Sequence, residues 1–383
     1  MHPEVDKAKS TPTPVNSPSI QINYATDTAR SLLKTSTMRT TIQALLCSVL
    51  ASACAPIGEP GSHNNDGPDA GVDGAASTVC DNYETKTMDL NVSGDSSFSG
   101  LPSKCWKLNG KLTLSGPAVT SLAKLGDLRE VKDLVIDNTA LTKLDSKSDI
   151  AVSGNVTVKN NAQLTELAHL TVGTLTPSIT IEANGALTGI GGLSKAEVIT
   201  GATSIRNNAK LATLDLSHAK RFEGGLTISD NAALTAMNLA AVESTGTIVI
   251  RNNAALTNLG SMPNLAFIHG SLTIDNNDQL ASLANTMMGG STYAERKVWV
   301  DTTVAITNNN ALTQLGGIAH FQFVYGTVTV TGNTNLTYCE IRSVDCCVDT
   351  DVVQASGNKT TSCGTNGYSW CLGETGGTCP FMN

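Results

Sequence analysis

Between Lys111 and Tyr338 the chain repeats one arrangement of apolar and polar positions about ten times. In the stretch from Gly246 to Leu259, Ile248 and Ile250 alternate with polar or outward positions, Asn253 follows, and Leu256 and Leu259 come next. Strict alternation over so few residues predicts a short strand with one face turned inward. The first strand position recurs at Leu112, Leu134, Val156, Ile179, Thr203, Leu226, Ile248, Leu272, Val304 and Val328, in steps of 22–24 residues with one step of 32. Such a period predicts an all-β solenoid with one turn per repeat. Its parallel strands would stack about 4.8 Å apart. Leucines such as Leu164 and Leu167 would fill the coil from a second side. A looser apolar pair with a glycine, as in Phe267-Ile268-His269-Gly270, would bring the chain back.

The polar signal is an asparagine five residues after the first strand position. It stands at Asn161, Asn184, Asn208, Asn231, Asn253, Asn277, Asn309 and Asn333. A buried amide carries donors and acceptors, so it can satisfy backbone groups that a tight corner leaves unpaired. Eight in one register predict an asparagine ladder. The first two repeats are one residue shorter there, and Asn138 and Gly116 stand in at the equivalent corner.

Outward positions form two further columns. Thr113, Val135, Thr157, Thr180, Ser204, Thr227, Val249, Thr273, Ala305 and Thr329 make a hydroxyl-rich strand face. Asp137, Lys159, Glu182, Arg206, Ser229, Arg251 and Asp275 form the second, with charges alternating over its first four members. That alternation predicts ion pairs between coils and disfavours a slipped register. The 32-residue step carries an insertion within 285–299, and insertions in repeat arrays concentrate on one face, often a binding face. Met287, Met288, Tyr293 and Trp299 are its candidate ligand-contacting residues, with Phe321, Phe323 and Tyr325 in the next coil.

Composition narrows the partners. Aromatic residues make up 4% of the 383 and charged ones 15%, so thin coils filled with aliphatic side chains fit better than a ring-rich core. The net charge of −8 repels phosphate backbones and leaves nucleic acid a poor partner. Met38 to Cys54 reads as an export signal at 38–53, with Arg39, an apolar run and small residues before the cysteine. Ala51-Ser52-Ala53-Cys54 resembles a bacterial lipobox, which implies lipidation at Cys54 and a membrane anchor; the leucine stands one place early, at Leu50. Residues 1–37 read as an extension ahead of a start at Met38. Residues 54–78, rich in Gly, Pro, Asp and Ala, read as a disordered tether. Eight further cysteines flank the repeats, at Cys80, Cys105, Cys339, Cys346, Cys347, Cys363, Cys371 and Cys379. In an exported chain they predict disulfides, Cys80–Cys105 at one end and a cysteine-rich cap over 339–383 at the other. Zinc is disfavoured there, because Cys371 and Cys379 lack ligand spacing and no histidine lies near.

The segment Cys105-Trp-Lys-Leu-Asn-Gly110-Lys-Leu112-Thr-Leu114, followed by coils of strand-x-x-Asn-x-x-Leu-x-x-Leu, resembles the receptor L-domain family over 79–338. That family includes the ligand-binding extracellular domains of insulin and EGF receptors and fungal wall proteins. The resemblance implies a right-handed parallel β-helix akin to leucine-rich repeats, and a role in binding or adhesion. No family ligand contact carries over to a residue here. A carbohydrate-active β-helix enzyme is the alternative, which would need carboxylates gathered on neighbouring coils. Asp137, Lys159, Glu182 and Arg206 instead set unlike charges side by side. His169, His218, His269 and His320 share no column, and no GxSxG, HExxH or P-loop occurs. The expectation is a non-catalytic lipoprotein without cofactor or metal, at the outer membrane or cell surface or else secreted, binding protein or glycan or serving an envelope-structural role.

Overall fold

The computed structural model describes residues 80–360, apart from 81, 95–97, 99, 285 and 287–297. It is an all-β, right-handed parallel solenoid of about eleven turns. Strands stack in three places around each coil. The first stack holds the predicted strands in exact one-to-one register, with Val156 beside Ile179, then Thr203, Leu226, Ile248, Leu272, Val304 and Val328. Their first and third residues are buried and the middle column is half-buried, as the alternation predicts.

The second stack follows the return segments. Leu175, Val198, Arg221, Ser244, Phe267, Trp299, Phe323 and Asp349 lie beside one another on successive rungs. The strands Trp106–Ser115, Leu128–Asp137 and Phe321–Thr331 run round the corner and join the two stacks. The third side is shorter: Thr213–Asp215 pairs with Ala236–Asn238, and single bridges follow at Ala236–Asn258, Ser282–Gln314 and Thr337–Lys359. Leu164, Leu167, Leu187, Leu211, Leu234 and Leu256 enter the core near this side, all fully buried. The interior is almost wholly aliphatic, with Trp106, Phe222 and Phe321 its large fully buried rings.

The array is longer than the ten coils read from the pattern. Leu90–Val92 pairs with Leu112–Leu114, so a rung precedes the first one read. Glu84–Lys86 likewise stacks outside Trp106–Leu108. Trp106 and Leu108 therefore sit beneath another rung, and the Trp106 Nε1 donates to the Leu125 carbonyl at 2.8 Å. At the other end the helix Tyr338–Cys347 is followed by the strand Asp349–Ser356, which continues the sheet beyond Tyr338. Glu340 accepts a hydrogen bond from the Leu315 N–H, and Ile341 and Val348 are buried against the last coils.

Candidate functional site

All eight predicted asparagines are fully buried in one line along the solenoid. Each amide oxygen accepts the backbone N–H of the ladder residue one coil earlier, at 2.9–3.2 Å from Thr139 to Asn358. The amide nitrogens of the eight donate back to strand carbonyls of the preceding coil, from Ile136 to Ile306, at 2.9–3.1 Å. Asn358 adds a ninth amide that the repeat pattern does not mark, because the strand before it lies beyond the clear repeat.

Asn138 and Gly116 do not occupy the ladder position assigned to them. Both have positive φ, 54° and 88°, and each precedes the true corner residue, Thr139 or Pro117. Thr139 fills the ladder site with its hydroxyl, which donates to the Asn161 amide oxygen at 2.7 Å. Pro117 has no N–H to satisfy, so the first corner needs no amide from the next coil. The same left-handed position precedes every ladder asparagine, at Asn160, Ala183, Asn207, Asp230, Asn252, Asn276, Asn308, Gly332 and Gly357. The ladder is thus a structural element whose polar groups face one another.

The charged column forms two pairs, Asp137–Lys159 at 3.3 Å and Glu182–Arg206 at 2.9 Å. Ser229 departs from the outward reading. It is buried, flanked in register by Arg206 and Arg251, and its hydroxyl has no partner. Next to the first rungs, the carboxyl of Asp127 is nearly inaccessible. Burial pushes its pKa up, but hydrogen bonds from Arg129 and Ser148, with the charges of Arg129 and Lys147, outweigh burial and hold it below the usual carboxylate range. The Cys80 and Cys105 sulfurs and an Asp127 oxygen lie within 4.8 Å of one another. The two sulfurs are bonded to each other, so this trio belongs to the N-terminal staple that the cysteine pattern predicted.

A surface feature of a different kind lies on the second stack. Phe267, Trp299 and Phe323 occupy the same outward position on three successive rungs. Trp299 stands 6.4 Å from Phe267, 4.7 Å from Phe323 and 6.4 Å from Tyr325, measured between ring centroids. His269 stacks parallel to Phe267 at 5.7 Å. Its Nδ1 lies 3.4 Å from the Asp301 carboxylate on the next rung. Phe267 and Tyr325 are 43% and 46% exposed, so the rings face solvent instead of folding onto the core.

A bulge makes this possible. Val298 pairs with Phe321 and Trp299 with Phe323, leaving Gln322 as the extra residue. Phe321 and Val324 both turn inward, and Phe323 is carried outward beside Trp299. Of the predicted contact residues, Trp299 belongs to the strip, while Met287, Met288 and Tyr293 lie outside the described residues. Phe323 and Tyr325 join it and Phe321 does not, being core. Phe267 and Ile268 are the apolar pair expected to bring the chain back, with His269 beside them. Only Ile268 of that pair turns inward, and the alternation of this two-residue strand was too short to reveal the outward phenylalanine.

Among the cysteines, Cys339 is disulfide-bonded, and Cys346 and Cys347 lie in the helix Tyr338–Cys347. Cys54, Cys363, Cys371 and Cys379 lie outside the described residues, as do the export signal and tether. No helix among the described residues is long and apolar enough to cross a membrane. Comparison of the chain with known protein families, curated proteins and solved structures finds no match.

Proposed function

We propose that the chain is a non-catalytic binding lipoprotein of the bacterial cell envelope, anchored through Cys54, and that the strip around Trp299 is its recognition surface. The observation that carries the reading is the outward display of rings by a protein poor in them. Burying those rings would add apolar stabilisation, so their exposure needs another reason, and a contiguous apolar patch rimmed by polar groups suits a binding role. The ion pairs Asp137–Lys159 and Glu182–Arg206 favour binding over the hydrolase or lyase alternative. That alternative needs carboxylates gathered on neighbouring coils, and each of these carboxylates instead neighbours a cation.

The proposal has two separable tests in a bacterial host displaying the full chain. Intact mass and membrane partitioning of wild type and Cys54→Ser should differ by a diacylglycerol-sized increment and by loss of the anchor. An unmodified, soluble wild type removes the anchor. Adhesion of the displaying cells to polysaccharide-coated and casein-coated surfaces should fall severalfold on at least one coat when Trp299 and Phe267 become alanine. Equal adhesion on both removes the strip.

A further inference from the structure

Resting on that reading, we infer that the aromatic strip is a platform for a neutral, extended oligosaccharide lying parallel to the solenoid axis. Three features of the strip converge on this ligand.

The first is spacing. Phe267, Trp299 and Phe323 rise one rung at a time, with neighbouring ring centroids 6.4 Å and 4.7 Å apart and their planes tilted by 44° and 50°, spacings that bracket the rise of one pyranose in an extended, twisting β-linked chain. The face of an aromatic ring is electron-rich, so it attracts the weakly positive C–H groups of a pyranose face. A linear chain can therefore place consecutive sugars over consecutive rings.

The second is the polar line beside the rings. Ile268, Val300 and Val324 are in register, so His269, Asp301 and Tyr325 form the next outward column. A carboxylate accepts, a phenol both donates and accepts, and an imidazole does either according to its tautomer. That mixture suits the hydroxyls along a sugar's edge, each of which donates and accepts.

The third is charge. Asp301 lies beside the His269 ring, and two rungs before Phe267 the Arg221 guanidinium lies 3.8 Å from Glu223. Among the described residues of the two columns on the rungs of Phe267, Trp299 and Phe323, no lysine or arginine stands to receive a sulfate or uronate. The pattern favours a neutral chain over an acidic polysaccharide. It also differs from a protein contact, which concentrates its energy on an anchor filling a desolvated pocket.

The test is calorimetric titration of the purified full chain with cellohexaose, chitohexaose and xylohexaose, with oligogalacturonate as the anionic probe. Trp299→Ala, Phe323→Ala and Asp301→Ala follow, each checked for an unchanged circular dichroism spectrum and thermal melt. We expect at least one neutral hexasaccharide to bind, with affinity rising from the disaccharide and levelling off once the three rings are covered. Trp299→Ala should weaken it about tenfold or more, the scale of losing one stacked ring. Binding of no neutral probe, stronger binding of oligogalacturonate, or full affinity in folded Trp299→Ala would overturn the inference. The adhesion assay keeps the two proposals apart. Strip-dependent adhesion to casein alone sinks the glycan and leaves the binding role, whereas strip-independent adhesion on both coats sinks both.

Discussion

The repeated Asn-Asn dipeptide does two separate jobs. In Asn252-Asn253 the first residue takes φ 55° and the second enters the core. Asparagine tolerates the left-handed region better than other residues with a Cβ. Its exposed amide also finds a partner, as when Asn252 donates to Asp230 at 2.8 Å. Ala183 holds the same conformation at φ 55° without either advantage. Ala183→Asn should therefore raise stability by about 0.5–1 kcal/mol, measured by urea titration. The buried partner is less forgiving. Asn231→Ala leaves the Asn208 N–H without its acceptor and removes the amide donor from the Ile205 carbonyl. An orphaned buried group costs about 1–3 kcal/mol, so the variant should lose at least about 2 kcal/mol by the same titration. A loss of a few tenths would mean the ladder contributes register but little stability.

At the scale of elements, the corner between the second and first stacks is made of closely packed backbone. A Cβ at Gly246 would lie 2.8 Å from the Glu223 carbonyl oxygen and 2.9 Å from the Gly225 nitrogen. Both neighbours are backbone and cannot rotate away, so Gly246→Ala must displace a coil. The expected cost is about 1–3 kcal/mol, seen as a lower melting temperature with the strand signal retained. The strand Phe321–Thr331 follows a different rule, since Gln322 breaks its alternation to serve both core and surface. Its Oε1 is buried without a partner, a local cost that accompanies the outward placement of Phe323.

Across the whole molecule each coil contacts only its neighbours, so the terminal rungs govern where the stack opens. Asp127 lies near the N-terminal staple and is held ionised by Arg129, Ser148 and Lys147. Its folded pKa is lowered, so it contributes stability above its unfolded value near 4, and that contribution is lost as pH falls through the folded pKa. Asp127→Asn should lower the melting temperature at pH 7 and match wild type more closely near pH 3. An equal deficit at both values would assign the effect to packing instead of charge.

The repeat was legible because a coil imposes periodic burial. Ile248, Ile250, Asn253 and Leu256 each have one possible environment, and a column of such positions states the period, the strand face and the ladder. All the cysteines after Cys54 lie outside that period, and Cys80 and Cys105, the lone pair ahead of it, form the staple expected there. What remained hidden were the departures from it. Asn138 reads like a ladder asparagine, but the shorter first coils move it one place into the left-handed turn. Leu90 and Val353 lack clear repeats around them, and only pairing with Leu112 and Val328 makes them rungs.

The aromatic strip belongs to the same category. Phe267, Trp299 and Phe323 lie 32 and 24 residues apart, across a coil of irregular length and a bulge. Local alternation determines which side of a strand a residue occupies. Which residues become neighbours across strands depends on the length of every intervening turn, and that length is decided only when the coils stack.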